Sequence, residues 1–214
     1  MKDITASSRI TASLLAGALG DALGAPVEVL DIEDILIQFP PAGITALAPS
    51  RGLNAAITDD TQMTLAAAAA LQVPTTTPLA ALKEAFYEWY IAQTGSPTKT
   101  WSSIPAMSSR RGPGKSCLKG ASSGQAVKGA VGCGGVMRAA PIGLAFADPL
   151  LAYELGRDQA YLTHDSPTAA IPAGITASTI SQLVNGVPLP LALYLASGIA
   201  SVTDPIRIRR LVEI

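Results

Sequence analysis

The sequence predicts an all-α protein, and three observations carry that prediction. Apolar residues make up 49% of the chain, but much of this share is alanine, and aromatics are only 5% of the chain. Small side chains suit closely approaching helices better than a sandwich of β-branched strands. No segment alternates apolar and polar residues with a strand's period of two, and no internal repeat is found. The apolar runs are also bracketed by helix punctuation, with Ser, Thr, Asp or Pro before them and Gly or Pro after. At 214 residues the chain fits one domain, long enough to bury a sizeable core.

Each helix has its own signals. The first runs from Ser7 or Ser8 to Leu23, with an Ala/Leu/Ile face ended by Gly24 and Pro26. A short piece at 31–37 precedes Pro40-Pro41, and 54–58 reads as a loop. The next helix, 59–71, is capped by Thr58, carries Asp59 and Asp60 in its first turn, and is stopped by Pro74. Another covers 78–93, with Leu79, Leu82, Phe86, Trp89 and Tyr90 as its apolar positions. The stretch 95–135 shows no regular pattern, and a stretch that long is usually functional or holds short helices. Helices return at 136–146, 149–162, 167–185 and 188–201. Asp204-Pro205 reads as the start of one more, with Ile206, Ile208, Leu211 and Val212 as its buried side. That last element is expected to be interrupted, leaving a single domain, residues 1–214, truncated at its C-terminus.

Composition excludes several function classes. The apolar run 10–27 is broken by Asp21 and closed by Glu28, and 66–71 is too short to span a bilayer, so no membrane partner is expected. The N-terminus has no ordered basic, apolar and cleavage regions, which argues against a secretory signal. Cys117 and Cys133 are too few for a disulfide framework and lack zinc spacing. Idle thiols in a reducing, cytoplasmic compartment are the expectation. Net charge is only −1, but it is unevenly spread. Residues 1–60 hold eight acids against three basic residues, whereas 94–147 hold seven basic residues and no acid. This polarity suits a cation on one side of a site and an anionic ligand on the other. A nucleic-acid surface is disfavoured, because the basic half is Gly- and Ser-rich and poor in aromatics.

Two segments carry chemistry. Thr58-Asp59-Asp60-Thr61 gathers carboxylates and hydroxyls, the hard oxygens that Mg²⁺, Mn²⁺ and Ca²⁺ prefer. The same residues are also an ordinary helix cap. Gly129 to Arg138 puts four glycines in seven residues just before a helix, where exposed N–H groups cradle phosphates. It matches neither the Walker nor the Rossmann pattern. Asp21, Glu28 and His164 are isolated; Asp21 reads as a buried partner for backbone or arginine. One histidine supports no Ser/His/Asp triad.

Taken in order, these segments resemble the ADP-ribosylglycohydrolases, the family of dinitrogenase reductase-activating glycohydrolase. Residues 16–28 look like its first helix, and Thr58-Asp59-Asp60-Thr61-Gln62-Met63 like its first metal motif. Residues 111–118 and 132–140 look like its mid-chain loops, and Leu162-Thr163-His164 like the segment that brings a histidine to the ligand. The resemblance implies a compact orthogonal bundle of many helices and a two-metal Mg²⁺ or Mn²⁺ centre. It implies metal-dependent hydrolysis of the bond joining ADP-ribose to arginine or a similar acceptor, with ADP-ribose or an ADP-ribosylated protein as partner. By position, Thr58, Asp59 and Asp60 become metal ligands, with Glu28, Asp59 and Asp60 catalytic. Gly132, Cys133, Gly134, Gly135, Val136 and Met137 hold the pyrophosphate, and His164 contacts the ligand. Cys133 stands where many members carry Asn. The family's second acidic motif, Asp-x-Asp-Thr, has no match here, so the metal centre is expected to be partly formed at most. The alternatives are a noncatalytic ADP-ribose-binding protein, a truncated remnant, or a plain helical protein that reuses the fold.

Overall fold

A computed structural model describes residues 5–72, 74, 76–95 and 104–204. Among them are ten α-helices, one 3₁₀ turn and four two-residue strands, so the fold is all-α. Helix α1 (Ala6–Gly24) begins where Thr5 Oγ1 accepts from Ser8 N at 3.2 Å, and α2 (Ile32–Gln38) where Asp31 Oδ1 accepts from Asp34 N at 2.9 Å. Both caps satisfy N–H groups that a first helical turn leaves unpaired. A hairpin follows, β1 (Pro49–Ser50) antiparallel to β2 (Leu53–Asn54). Its two turn residues, Arg51 (φ 51°) and Gly52 (φ 76°), are both left-handed, which matches the twist of the strands they join.

Helices α3 (Asp59–Ala70) and α4 (Pro78–Gln93) sit close to their expected bounds. The patternless stretch contains α5 (Pro105–Ser108), α6 (Lys115–Ser123), β3 (Val127–Lys128) and a 3₁₀ turn, Cys133–Gly135. Elements of two to nine residues are too brief to display a period, so the sequence hides them. Strands two residues long escape the period-two test for the same reason. The helix expected from Val136 begins later, as α7 (Ala140–Ala145), with Pro141 in its first turn. Proline has no N–H to return to an earlier turn, so it opens a helix more readily than it continues one.

Helices α8 (Pro149–Ala160), α9 (Pro167–Val184) and α10 (Leu189–Thr203) complete the described fold. Between α8 and α9, β4 (His164–Asp165) pairs in parallel with β3, Val127 opposite His164 and Lys128 opposite Asp165. That pairing ties the α8–α9 junction to the chain just before the glycine-rich turn. Helix α9 packs against α7, α8 and α10. Alanine and glycine let α8 and α9 approach: a Cβ on Gly156 would stand 2.6 Å from the Ala177 Cβ, and one on Gly174 would stand 2.8 Å from the Tyr153 ring. The main core gathers Met63, Leu82, Phe86, Trp89, Ile142 and Leu155 among buried alanines. At the periphery α1 leaves Leu15 and Leu19 more than half exposed and buries Ala22. Among the described residues no helix is long and apolar enough to cross a membrane. The element expected at 206–212 lies outside the described residues.

Candidate functional site

The site is built around the N-terminus of α3. Thr58 is the cap, and its Oγ1 accepts from Asp60 N at 3.2 Å. The cap is itself held by Asp21 of α1. Thr58 Oγ1 donates to Asp21 Oδ1 at 2.7 Å, Thr58 N to Oδ2 at 2.8 Å and Thr61 N to Oδ2 at 3.1 Å, and the Thr61 hydroxyl also donates to Oδ2. Asp21 is therefore the backbone partner that its isolated position suggested, and it crosslinks two helices. Asp59 is buried, and its Oδ2 accepts from Gly114 N at 2.9 Å. Asp60 is half-buried and faces a cleft.

These acids crowd one another. Burial first, and then the charges of Asp59, Asp21 and Glu28, push the Asp60 carboxyl up to about 6. Asp59 is also raised, mainly by burial, with the Gly114 N–H pulling the other way. Burial is the larger cause of both shifts, and the neighbouring carboxylates add to it. Glu28 is exposed, and its Oε2 accepts from Arg51 Nη2 at 3.1 Å. The Arg51 guanidinium fills the space that a Cβ on Gly112 would take, so the hairpin tip and the 109–114 loop meet beside Glu28.

That loop is anchored by a glutamine. Gln62 is buried, and its Nε2 donates to Ala106 O at 2.6 Å and Ser109 O at 2.9 Å. Its Oε1 accepts from Trp89 Nε1 at 3.1 Å and Gln93 Nε2 at 3.0 Å. All of its hydrogen-bonding capacity on both atoms is directed at α4 and the loop that delivers Gly114 to Asp59. The glycine-rich turn forms a second wall. Thr64 Oγ1 lies 2.8 Å from Met137 O and 2.7 Å from Asp60 O, and Gln159 Nε2 donates to Gly135 O at 2.7 Å. Gly134 has no room for a side chain: a Cβ there would stand 2.5 Å from both Cys117 Sγ and His164 Cε1.

Between the walls lies a cleft of about 560 Å³. Of the residues expected at the site, Glu28, Thr58, Asp60, Cys133 and Met137 line it together with Asp21. Asp59 turns to the 109–114 loop, Gly134 and Gly135 are buried, and Val136 packs against the main core. His164 is also buried, beneath the glycine-rich turn, and burial with the nearby Arg138 charge lowers its ring to about 4. The Cys133 thiol is pushed up by burial and by Asp60, and Cys117 is pushed up to about 11, so neither is a thiolate at neutral pH. No described basic residue lines the cleft, which corrects the expectation of a basic wall opposite the acidic one. Arg138 instead is fully buried, with its guanidinium 4.2 Å above the Phe86 ring. The sequence held no sign of the roles of Arg138 and Gln62, since each depends on partners distant in the chain.

The donor set meets a metal's needs only in part. The Thr58 hydroxyl already donates to Asp21, and Asp59 already accepts from Gly114. Among the described residues no group of three or more His, Cys, Asp or Glu side chains converges as a ligand set. The cap reading of Thr58-Asp59-Asp60 is thus realised, with a negative surplus on its cleft side.

The family model of the ADP-ribosylglycohydrolases matches residues 2–212. This chain belongs to that family. The match takes in both walls of the cleft, from Asp21 through Thr58 and Asp60 to Cys133 and Met137. A comparison with curated proteins finds no match. Membership in the ADP-ribosylglycohydrolases suggests hydrolase activity on ADP-ribosylated substrates, in a family that generally uses divalent metals.

Proposed function

We propose that the chain removes ADP-ribose from arginine or a similar acceptor on modified proteins, with help from Mg²⁺ or Mn²⁺, in the cytoplasm. The observation that carries this reading is the juxtaposition of Glu28 and Asp60 with the glycine-rich turn across one 560 Å³ cleft, in a member of this family. Glycoside hydrolysis needs a proton donor or acceptor and stabilisation of an oxocarbenium-like centre, and carboxylates supply both. Asp60 is raised to about 6 in the metal-free protein and would be held ionised by a bound cation, which leaves Glu28, at the rim with Arg51 beside it, as the carboxylate for proton transfer. Within the turn 132–137 the Val136 and Met137 N–H groups bond to Cys133 O, so those of 132–135 would meet a pyrophosphate, a mode that fits the lack of described basic side chains in the cleft. A divalent cation at Asp59, Asp60 and Thr58 would supply positive charge beside the scissile bond and offset carboxylate repulsion.

A second reading, binding of ADP-ribose without cleavage, is favoured by the lack of a converging three-residue ligand set among the described residues. One assay separates the two. Purified protein is incubated with an ADP-ribosyl-arginine peptide in Mg²⁺, in Mn²⁺ and in EDTA, and free ADP-ribose is measured beside calorimetric binding of ADP-ribose. Hydrolysis predicts metal-dependent release that falls at least 100-fold in Asp59→Ala and Asp60→Ala, the scale expected of groups acting on the transition state. Calorimetric binding with no release under any condition selects the binding reading.

A further inference from the structure

Behind the glycine-rich turn, a chain of hydrogen bonds leads from the core to the only histidine in the sequence. Arg138, fully buried, donates from Nε to Gln159 Oε1 at 2.6 Å and from Nη2 to Gln159 O at 3.0 Å. The same Nη2 lies 2.8 Å from Thr163 Oγ1, and that oxygen lies 2.7 Å from His164 Nδ1. Thr163 is fully buried too. An arginine has donors and no acceptor, so Thr163 Oγ1 must accept from it. The hydroxyl keeps one hydrogen of its own, and Nδ1 is the acceptor within its reach among the described residues. If Nδ1 carried the proton instead, Oγ1 would accept twice and its own buried hydrogen would face no acceptor, an arrangement that interiors avoid.

We infer that Arg138 and Thr163 are positioning residues that hold His164 as the neutral tautomer protonated on Nε2, making it a fixed, uncharged donor against the glycine-rich turn. Geometry places that edge of the ring at the turn: a Cβ on Gly134 would stand 3.1 Å from Nε2, and one on Gly132 would stand 3.4 Å from it. Burial and the Arg138 charge both oppose a second proton on the ring, so the donor stays neutral across the physiological range. For an anion seated on this turn, the consequence is an N–H whose presence does not vary with pH, unlike that of an imidazolium. The inference concerns the ring itself and goes beyond the hydrolase reading, because it holds whether or not the chain cleaves ADP-ribose.

The test is nitrogen NMR of the ring in the full-length, ¹⁵N-labelled protein with any affinity tag removed. Its histidine is unique, so the ring signals assign themselves. The expected spectrum at neutral pH has an unprotonated, acceptor-type Nδ1 and a protonated Nε2, with no conversion to imidazolium until the pH is well below 6. Thr163→Val is expected to shift part of the population to the Nδ1–H form, and Thr163→Ser to preserve the wild-type pattern. A wild-type ring protonated on Nδ1, or charged at neutral pH, would overturn the inference without any variant. So would a folded Thr163→Val protein with an unchanged tautomer. If Thr163→Val does not fold, Arg138→Gln decides, because its amide oxygen can accept the Thr163 hydrogen: loss of the fixed pattern is expected, and an unchanged pattern would overturn the role of Arg138. The readout needs no ligand and no turnover, so failure of the hydrolase assay leaves it intact.

Discussion

Asp60 shows how a single side chain is set by its neighbours. On an isolated helix it would be an acid in a first turn, stabilised by the dipole. In the fold, burial and three nearby acids raise it to about 6. The folded-state pKa therefore exceeds the unfolded value, and between about pH 4 and 6 the folded protein holds a proton that the unfolded chain releases. The Asp60 contribution is fully present below the unfolded pKa and is lost as pH rises through about 6. In EDTA, the stability difference between wild type and Asp60→Asn is predicted to grow from pH 4 to pH 7 in favour of Asn. The expected size is roughly 1–2 kcal/mol after solvent screening, read from urea midpoints. His164 acts with the opposite sign, because its lowered pKa contributes stability that disappears as pH falls from 6.5 towards 4. It is common to both proteins and cancels in the difference. A flat difference across this range would show that Asp60 ionises as an ordinary surface acid.

At the scale of the element, the glycines divide into two kinds. Gly17 lies inside α1, and a Cβ there would meet nothing within 4 Å. Gly174 lies inside α9, and a Cβ there would stand 2.8 Å from the Tyr153 ring and backbone. The helix-propensity cost of glycine is the same in both, but only α9 gains close packing in return. Gly17→Ala is predicted to stabilise the protein by about 0.5–1 kcal/mol, and Gly174→Ala to destabilise it by about 1–3 kcal/mol, as measured by chemical denaturation. Equal effects would mean that α8 and α9 can separate slightly without loss. Similar logic governs the glycine-rich turn, where Gly134 is wedged between Cys117 and His164 rather than left open for a ligand.

At the scale of the whole molecule, α10 packs chiefly on α9 and is tied to α8 by a polar lock at its end. Ala192, Ala196 and Ala200 are fully buried, while Tyr194 and Val202 point outward. At the helix end, Asp204 accepts from Tyr153 Oη at 2.8 Å and from Arg157 Nη1 at 3.1 Å, with Arg157 also paired to Asp158. Burial and the hydrogen bond to Asp204 hold the Tyr153 phenol above its ordinary pKa, so it stays a donor throughout the useful pH range. Asp204 is the buried carboxylate of this group, and removing its charge weakens the hydrogen bonds from Tyr153 and Arg157 while Arg157 keeps Asp158 as a partner. Asp204→Asn is predicted to cost about 2–3 kcal/mol and to speed hydrogen exchange in α10, with exchange at the start of α3 unchanged. Faster exchange in α3 as well would show that the lock supports the site through the whole bundle.

The sequence by itself determined the helical class, the bounds of the longer helices and the two motif segments, because these are local. Capping residues, prolines and the alanine-rich runs act within a few positions of where they stand. Family membership was legible for the same reason, as an ordered series of short motifs. Tertiary structure alone decided which motif residues share a surface. Glu28, Thr58, Asp60, Cys133 and Met137 meet at one cleft, while Asp59 and His164 face elsewhere. It alone decided that Asp21 clamps α3, that Gln62 anchors the loop over Asp59, and that the lone arginine of the glycine-rich segment turns into the core. Each of those roles needs a partner 20 or more residues away in the chain, such as Asp21 and Thr58, 37 apart, or Gln62 and Ala106, 44 apart. A hydrogen bond's direction and a carboxylate's pKa depend on such partners and on exclusion of water, and neither is written in local order.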